Sequence, residues 1–285
     1  MKNIFVTGGS GFIGSNIVDL LIKKNFNVTV LDKIKPKNDK ANYINTDLSN
    51  LKNLKKITKN IDCIYHLAGV SNINKVKKIP LKTIKDNILL TCNLLEASRF
   101  NKVKRFIFAS SIYAHSSSGN LYTSSKVAAE NIIKNYFTLF KIRFTILRYA
   151  TVYGTNNRGE DVISLFLKKA RNNNKITVHS SGKQTRDFIH AKDLASCSLR
   201  ALNKRYINKI LTIGNKKKVQ IIYIAKLIKK LANSKSKIVI NKKEKRLDDF
   251  NLNEIKNIPK NNYLKYKRKF TLETGIKKLL HGDKS

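Results

Sequence analysis

Asn3-Ile4-Phe5-Val6-Thr7-Gly8-Gly9-Ser10-Gly11-Phe12-Ile13-Gly14 joins an apolar run, suited to a strand, to a glycine-spaced turn. Helical periodicity follows, and Val28-Thr29-Val30-Leu31-Asp32 then ends a second apolar run on a carboxylate. Each part has a physical task in holding a dinucleotide. Gly8, Gly11 and Gly14 let the backbone turn tightly and approach a pyrophosphate. Its negative charge is stabilised by free N–H groups and by the positive end of the helix dipole. A carboxylate ending the next strand can accept hydrogen bonds from both hydroxyls of an adenosine ribose. Asp32 would repel a 2′-phosphate there, which favours NAD over NADP. A βαβ turn that needs glycine only to reverse the chain does not require strand, turn, helix, strand and acid in this order.

Outward from this stretch, short β-type runs alternate with helical periodicity, the pattern of an α/β fold with a Rossmann-type, doubly wound parallel sheet. Strands are expected at 4–7, 27–31, 43–45, 63–67, 105–109 and 143–148, with helices at 12–24, 51–59, 82–100 and 123–141. Cys63-Ile64-Tyr65-His66-Leu67 and Phe106-Ile107-Phe108-Ala109 are apolar enough for a sheet covered on both faces. After Gly154 the alternation weakens through polar runs at 155–161 and 180–185, while 191–202 reads as helical again. Residues 1–154 are therefore expected to form a dinucleotide-binding domain, rejoined by about 187–205. Residues 155–285 would mainly form a smaller C-terminal substrate-binding domain. The Lys- and Asn-rich stretches at 233–245 and 257–269 read as solvated surface.

The chain has 285 residues, with 58 Lys and Arg against 18 Asp and Glu, for a formal charge of +40. Such a charge suggests nucleic acid, but the lysines are spread over nearly every element beside Asn and Ile. They do not form one face interleaved with aromatics. We expect no specific nucleic-acid partner, only a field that favours polyanions and a diphosphate substrate. The three cysteines, Cys63, Cys92 and Cys197, lie far apart in apolar segments, which suits neither a disulfide framework nor a metal site. No apolar stretch is long enough to span a bilayer, and Gly8-Gly9 interrupts any export signal, so a cytoplasmic location is expected.

Tyr122-Thr123-Ser124-Ser125-Lys126 opens a helical segment and puts Tyr122 and Lys126 one turn apart on the same face. An ammonium there lowers the cost of a tyrosinate and makes the phenol a usable base. Tyr263 and Lys267 share the spacing, but only Tyr122 follows a strand end, Ala109-Ser110-Ser111. That end lies on the edge where open α/β sheets bind ligands. Ser111 could then share the proton of the same substrate hydroxyl.

Taken together, these motifs resemble the extended short-chain dehydrogenase/reductase family, the NAD-dependent epimerases and dehydratases of nucleotide sugars. The resemblance runs through nearly the whole chain. It includes the glycine turn, Asp32, Asp47-Leu48, His66-Leu67-Ala68-Gly69, Asn87, Ser110-Ser111 and Tyr122 with Lys126. It continues through Leu147-Arg148-Tyr149-Ala150-Thr151-Val152-Tyr153-Gly154. The run Gln184-Thr185-Arg186-Asp187-Phe188-Ile189-His190-Ala191-Lys192-Asp193-Leu194-Ala195 is especially close to UDP-glucose 4-epimerases. The resemblance implies that Phe12 and Ile13 lie on the pyrophosphate turn and that Asp47 and Leu48 flank adenine. Leu67, Ala68, Gly69 and Asn87 would line the cofactor, and Lys126 would also bind the nicotinamide ribose. Arg186 and Arg246 would hold the sugar nucleotide's phosphates, with Asp249 and Thr151 nearby on the substrate. It further implies a homodimer joined through helices at 82–100 and 123–141.

Departures from the family pattern narrow the reaction. Ser111 is followed by Ile112-Tyr113-Ala114, with none of the carboxylate that family dehydratases and decarboxylases carry there, and no cysteine stands beside it. His115 reads as a loop residue and His190 as structural. The reading is an NAD-dependent nucleotide-sugar 4-epimerase working through a transient 4-keto sugar. A nucleotide-4-keto-sugar reductase, a dehydratase or decarboxylase, and a non-catalytic NAD-bound protein remain as alternatives.

Overall fold

The computed structural model describes residues 1–116, 120–155, 157, 161–242, 255 and 258–282. In chain order the elements begin with β1 (Asn3–Thr7), α1 (Phe12–Lys23), β2 (Asn27–Asp32), β3 (Asn42–Asn45), α2 (Leu51–Ile57) and β4 (Cys63–His66). Next come α3 (Ile73–Val76), α4 (Pro80–Ile84), α5 (Leu90–Phe100), β5 (Arg105–Ser111), α6 (Leu121–Phe140), β6 (Phe144–Tyr149) and β7 (Thr151–Tyr153). The rest are α7 (Val162–Arg171), β8 (Ile176–His179), β9 (Thr185–His190), α8 (Ala191–Arg200), β10 (Lys209–Ile213), β11 (Lys218–Gln220), α9 (Ile221–Leu231), β12 (Ile238–Asn241) and α10 (Leu272–His281).

The chain divides into two compact units, Met1–Tyr149 with Ala195–Thr212, and Ala150–Leu194 with Ile213–Ser285. The first holds a seven-stranded sheet in the order β10-β6-β5-β4-β1-β2-β3. Strand pairs from β3 across to β6 are parallel: Val6 lies between Val30 and Tyr65, and Phe108 between His66 and Ile146. The winding reverses at β1. From there the chain moves outward through β2 and β3, and it returns on the other side through β4, β5 and β6. The C-terminal ends of β1, β2, β4 and β5 therefore share the edge where such folds bind ligands. Ile4, Phe5, Val6, Ile64, Phe106 and Phe108 are all buried. Each such side chain contributes roughly 1.5–3 kcal/mol relative to exposure. That outweighs any turn preference of the Lys- and Asn-rich flanks.

The second unit holds a three-stranded sheet, β11-β9-β7, and the pair β12-β8, packed with α7, α9 and α10 around Tyr153, Phe166, Phe188 and Ile224. Tyr153 Oη donates to Thr271 O at 3.1 Å. A Cβ on Gly275 of α10 would lie 2.3 Å from that phenol oxygen, so only glycine fits against the ring.

Asparagine serves the helix and turn ends. Asn25, Asn60, Asn173, Asn208 and Asn233 all take positive φ, which Asn tolerates better than most residues. Asn50, Asn120, Asp161 and Thr271 accept backbone N–H bonds from the first turns of α2, α6, α7 and α10.

Two expectations need correction. The single helix expected at 82–100 starts earlier, at Pro80 in its first turn. It is interrupted by a π turn at Lys85–Leu89 that contains Asn87. The 233–245 stretch is not merely solvated surface: Ile238–Asn241 pairs in parallel with β8, because Ile238-Val239-Ile240 is β-branched throughout. Residues 258–269 are likewise anchored. Leu264 is buried, and Asp193 accepts from Lys269 N and Phe270 N at 3.1 Å each. The His190 ring stacks on Phe270 with centroids 4.0 Å apart.

Candidate active site

At the end of β1 the backbone turns through Gly8, at φ +69°, and a Cβ there would lie 2.7 Å from Ala68 N. A Cβ on Gly14 would lie 2.1 Å from Gly8 O, so α1 can start against the turn only with glycine there. Gly11 caps α1 without a side chain to accept its first amides, and no acid stands in the first turn. Those N–H groups are thus available to an anion. Phe12 and Ile13, part-buried, begin the helix. Asp32 ends β2 against this turn: it accepts from Ser10 N at 3.1 Å and from Ile34 N at 3.2 Å. A carboxylate has roughly four acceptor positions, so these two bonds leave room for a diol.

A second strand end supports the turn. Thr7 Oγ1 meets His66 Nδ1 at 2.8 Å, and His66 Nε2 meets Thr91 Oγ1 at 2.9 Å. Thr7 Oγ1 already accepts from Ala68 N, and Thr91 Oγ1 donates to Asn87 O. These bonds close together only if Nδ1 accepts and Nε2 donates. Burial holds His66 neutral, lowering its pKa to about 3, with Lys126 adding to the effect.

Asn87, expected to line the cofactor, also bonds within the protein. Its Oδ1 accepts from Val70 N at 2.8 Å, and its Nδ2 donates to Val70 O at 3.1 Å and Ser125 Oγ at 2.9 Å. The amide thus ties the loop after β4 to helix α6. Leu67 and Ala68 are part-buried and Gly69 exposed on that loop. Asp47 is exposed, its carboxyl held below the usual range chiefly by Ser49, whose N–H it accepts at 2.9 Å. Leu48 buries its side chain in the apolar core, so that side chain faces the core rather than outward.

Ser111 ends β5, while Tyr122 and Lys126 lie on α6, all three buried. Lys126 Nζ donates to Ala109 O at 2.9 Å and stands 4.7 Å from the centre of the Phe108 ring. The lowered phenol pKa expected for Tyr122 is not produced by the protein's own groups. Burial pushes it up to about 12, opposed by a hydrogen bond with Ser111. The cause is burial of the phenol, while the Lys126 ammonium donates to the Ala109 carbonyl. Burial also lowers Lys126, to about 8, against the pull of Glu130.

Glu130 and Arg148 were missed by sequence reasoning. Arg148 donates to Glu130 through Nε at 3.0 Å and Nη2 at 2.6 Å, and Ser110 Oγ donates to the same carboxylate at 2.5 Å. His115 is not a free loop residue. It ends a short 3₁₀ turn, Ile112–His115, where Nδ1 accepts from Arg148 Nη1 at 3.0 Å and Nε2 donates to Thr212 Oγ1 at 2.8 Å. Burial, then Arg148, lowers its pKa to about 4. One signal was legible: Tyr122, Lys126 and Glu130 recur every four residues and share a helix face.

In the second unit, Thr151 opens β7 and Arg186 lies buried on β9, where its Nη1 donates to Thr185 O at 2.9 Å. Asp187 beside it accepts from Asn215 N at 2.9 Å and Lys216 N at 3.0 Å, and burial raises its pKa to about 6. Arg246 and Asp249 lie outside the described residues. Among the described residues, no group of three or more His, Cys, Asp or Glu could hold a metal ion, and no helix is long and apolar enough to cross a membrane.

Residues 4–214 match the family model described as the NAD dependent epimerase/dehydratase family. The chain belongs to that family. A Methanocaldococcus jannaschii family member, provisionally named a UDP-glucose 4-epimerase, is 35% identical over 249 residues, covering 79% of this chain and 81% of that one. A Dictyostelium discoideum dTDP-D-glucose 4,6-dehydratase is 29% identical over 270 residues, 80% of this chain and 62% of that one. Among solved structures, the UDP-glucuronic acid 4-epimerase of Bacillus cereus, in complex with UDP-glucuronic acid and NAD, superposes with a TM-score of 0.84. Its identity is 25%, over 97% of this chain and 96% of that one. The expected Rossmann-type parallel sheet and family are thus found, and the relatives include both epimerases and dehydratases.

Proposed function

We propose that this protein is an NAD-dependent nucleotide-sugar 4-epimerase, most similar in its motifs to UDP-glucose 4-epimerases. The observation that carries the reading is the trio Ser111, Tyr122 and Lys126, gathered at one strand end, with Ile112 rather than a carboxylate next in the chain. The bare first amides of α1 and the part-buried Asp32 at the turn fit NAD: the amides would take the pyrophosphate and the carboxylate the adenosine ribose. Bound NAD would supply the hydride acceptor, and then donor, for C4 of the sugar. Tyr122 Oη takes the C4 hydroxyl proton and later gives it back, and Ser111 Oγ holds that hydroxyl in line. Lys126 keeps the phenolate compensated and orients the nicotinamide ribose. Arg186, with Arg246 and Asp249 from the sequence reading, would receive the sugar nucleotide. On this reading residues 1–154 form the cofactor domain, rejoined near 187–205, and 155–285 mainly bind substrate.

The dehydratase reading draws on the dTDP-D-glucose 4,6-dehydratases among the relatives. Elimination needs an acid beside the trio, and Ile112-Tyr113-Ala114-His115 supplies none. The protein acts as a cytoplasmic homodimer in this proposal. Leu89, Phe100, Leu139 and Phe140 are exposed large apolar residues at or near α5 and α6, the helices that would pair between copies. Incubation with UDP-, dTDP- and GDP-hexoses and NAD, followed by NMR of the products, tests the chemistry. Inversion at C4 with no net NADH supports it. A 4-keto-6-deoxy product, or net NADH consumption on a 4-keto sugar, refutes it.

A further inference from the structure

Glu130 and Arg148 take no part in the roles proposed above, yet they form a buried ion pair one helical turn beyond Lys126. Glu130 side-chain exposure is 2%, and Arg148 grips it with two nitrogens at 3.0 and 2.6 Å. Replacing such a pair by apolar side chains is often neutral or stabilising. Stability alone therefore does not account for it. Its connections point elsewhere. The carboxylate also accepts from Ser110, the neighbour of Ser111 on β5, at 2.5 Å. The third guanidinium nitrogen of Arg148 donates to His115, which ends the turn that Ser111 begins. Glu130 stands four residues after Lys126 on α6, so the two side chains share a face.

We infer that Glu130 is a positioning residue of this site: its carboxylate fixes the strand end carrying Ser111 and sets a negative charge on the helix face that carries Lys126. The inference rests on the roles proposed for Lys126 and Ser111. The groups around Lys126 show why a fixed anion is needed. From its own helix it faces Glu130, from the end of β4 the neutral His66, and from β5 the Phe108 ring and the Ala109 carbonyl. The Glu130 carboxylate favours the charged ammonium, against a burial that disfavours it. Without that charge Lys126 loses its proton at lower pH. It then cannot compensate a phenolate.

The test reads the lysine directly. Full-length protein labelled with ¹³C-lysine is titrated by NMR, and Lys126→Met identifies the resonance. A lysine that titrates near 8 stands apart from solvated lysines near 10.4. In Glu130→Gln the midpoint is expected to fall by about one pH unit or more, the scale of a lost neighbouring charge. Glu130→Gln alone strands the Arg148 charge, so Glu130→Gln with Arg148→Gln is measured beside it, with a smaller fall in the same direction expected. The alkaline limb of the turnover profile should move the same way, with kcat losing more than KM. A midpoint unmoved in a folded variant overturns the inference, whatever the activity of the other variants. Full turnover by Tyr122→Phe would instead overturn the functional reading on which it rests.

Discussion

Replacing Asn87 with alanine separates two accounts of the same residue. If Asn87 were a cofactor contact, Asn87→Ala would weaken NAD binding and leave the fold alone. In the structure its amide makes three hydrogen bonds, to Val70 N, Val70 O and Ser125 Oγ, and the residue is 1% exposed. Ser125 Oγ keeps its bond to Tyr122 O, but both backbone groups of Val70 lose this partner. At roughly 1 kcal/mol net per hydrogen bond, the loss is about 3 kcal/mol. For a chain of this size each kcal/mol lowers the melting temperature by about 2–4 °C, so a fall of about 6–12 °C is expected. Asn87→Asp keeps the acceptor for Val70 N, loses both donors and buries a carboxylate, so it should cost at least as much. Thermal unfolding followed by circular dichroism without NAD, and a fluorescence titration with NAD, give the two readouts. A drop smaller than about 2 °C combined with a large loss of NAD affinity would refute the bracket and restore the contact.

Tyr122→Phe should lower turnover by about 10²- to 10⁴-fold, the scale of a lost general base. Its melting temperature should stay close to wild type, because a single hydroxyl bonded to Ser111 is removed. Gly14→Ala forces a Cβ to within 2.1 Å of Gly8 O, so calorimetry should show NAD binding lost or strongly weakened. Asp187 has a folded pKa raised to about 6 from 3.8, so its contribution to stability is complete below about 4 and is lost as pH rises through 6. Wild type should therefore lose stability between pH 4 and 6 relative to Asp187→Asn, and melting curves that run parallel would contradict this. Leu89→Glu combined with Phe140→Glu should give a monomer in sedimentation velocity if the exposed apolar residues pair two copies.

The sheet was legible because its signal is made of composition at short range. Ile4-Phe5-Val6 and Phe106-Ile107-Phe108 are apolar at consecutive positions, and the turn residues between strands leave few other readings. The glycine turn was legible for the same reason. Asn87 was legible as a residue of this region, but its bonds within the protein were not, because its partners, Val70 and Ser125, lie 17 and 38 positions away. Nothing local announces such bonds. The Tyr122–Lys126 spacing was legible, but the surroundings of the two side chains were not. Burial of the phenol and the Ala109 carbonyl facing the ammonium are consequences of packing that a four-residue spacing does not contain. The same holds for Ile238–Asn241, whose partner strand β8 is over fifty residues upstream.

A further signal lies in scarcity. With 58 cations and 18 carboxylates, an acid anywhere on the surface meets positive charge, so an exposed pair says little about its position. Glu96 with Arg99 and Glu273 with Lys277 are such exposed pairs, and they contribute little. Burying an acid is costly, as the raised pKa values of Asp161, Asp187 and Asp193 show, and is tolerated only where donors compensate. Asp161 takes two amides of α7, Asp187 the amides of Asn215 and Lys216, and Asp193 those of Lys269 and Phe270. Glu130 takes a guanidinium instead. In a chain this basic, a carboxylate set within an apolar segment marks a joint of the fold. Asp187 in Arg186-Asp187-Phe188-Ile189, and Glu130 on the Tyr122–Lys126 face, both meet that description in the sequence alone.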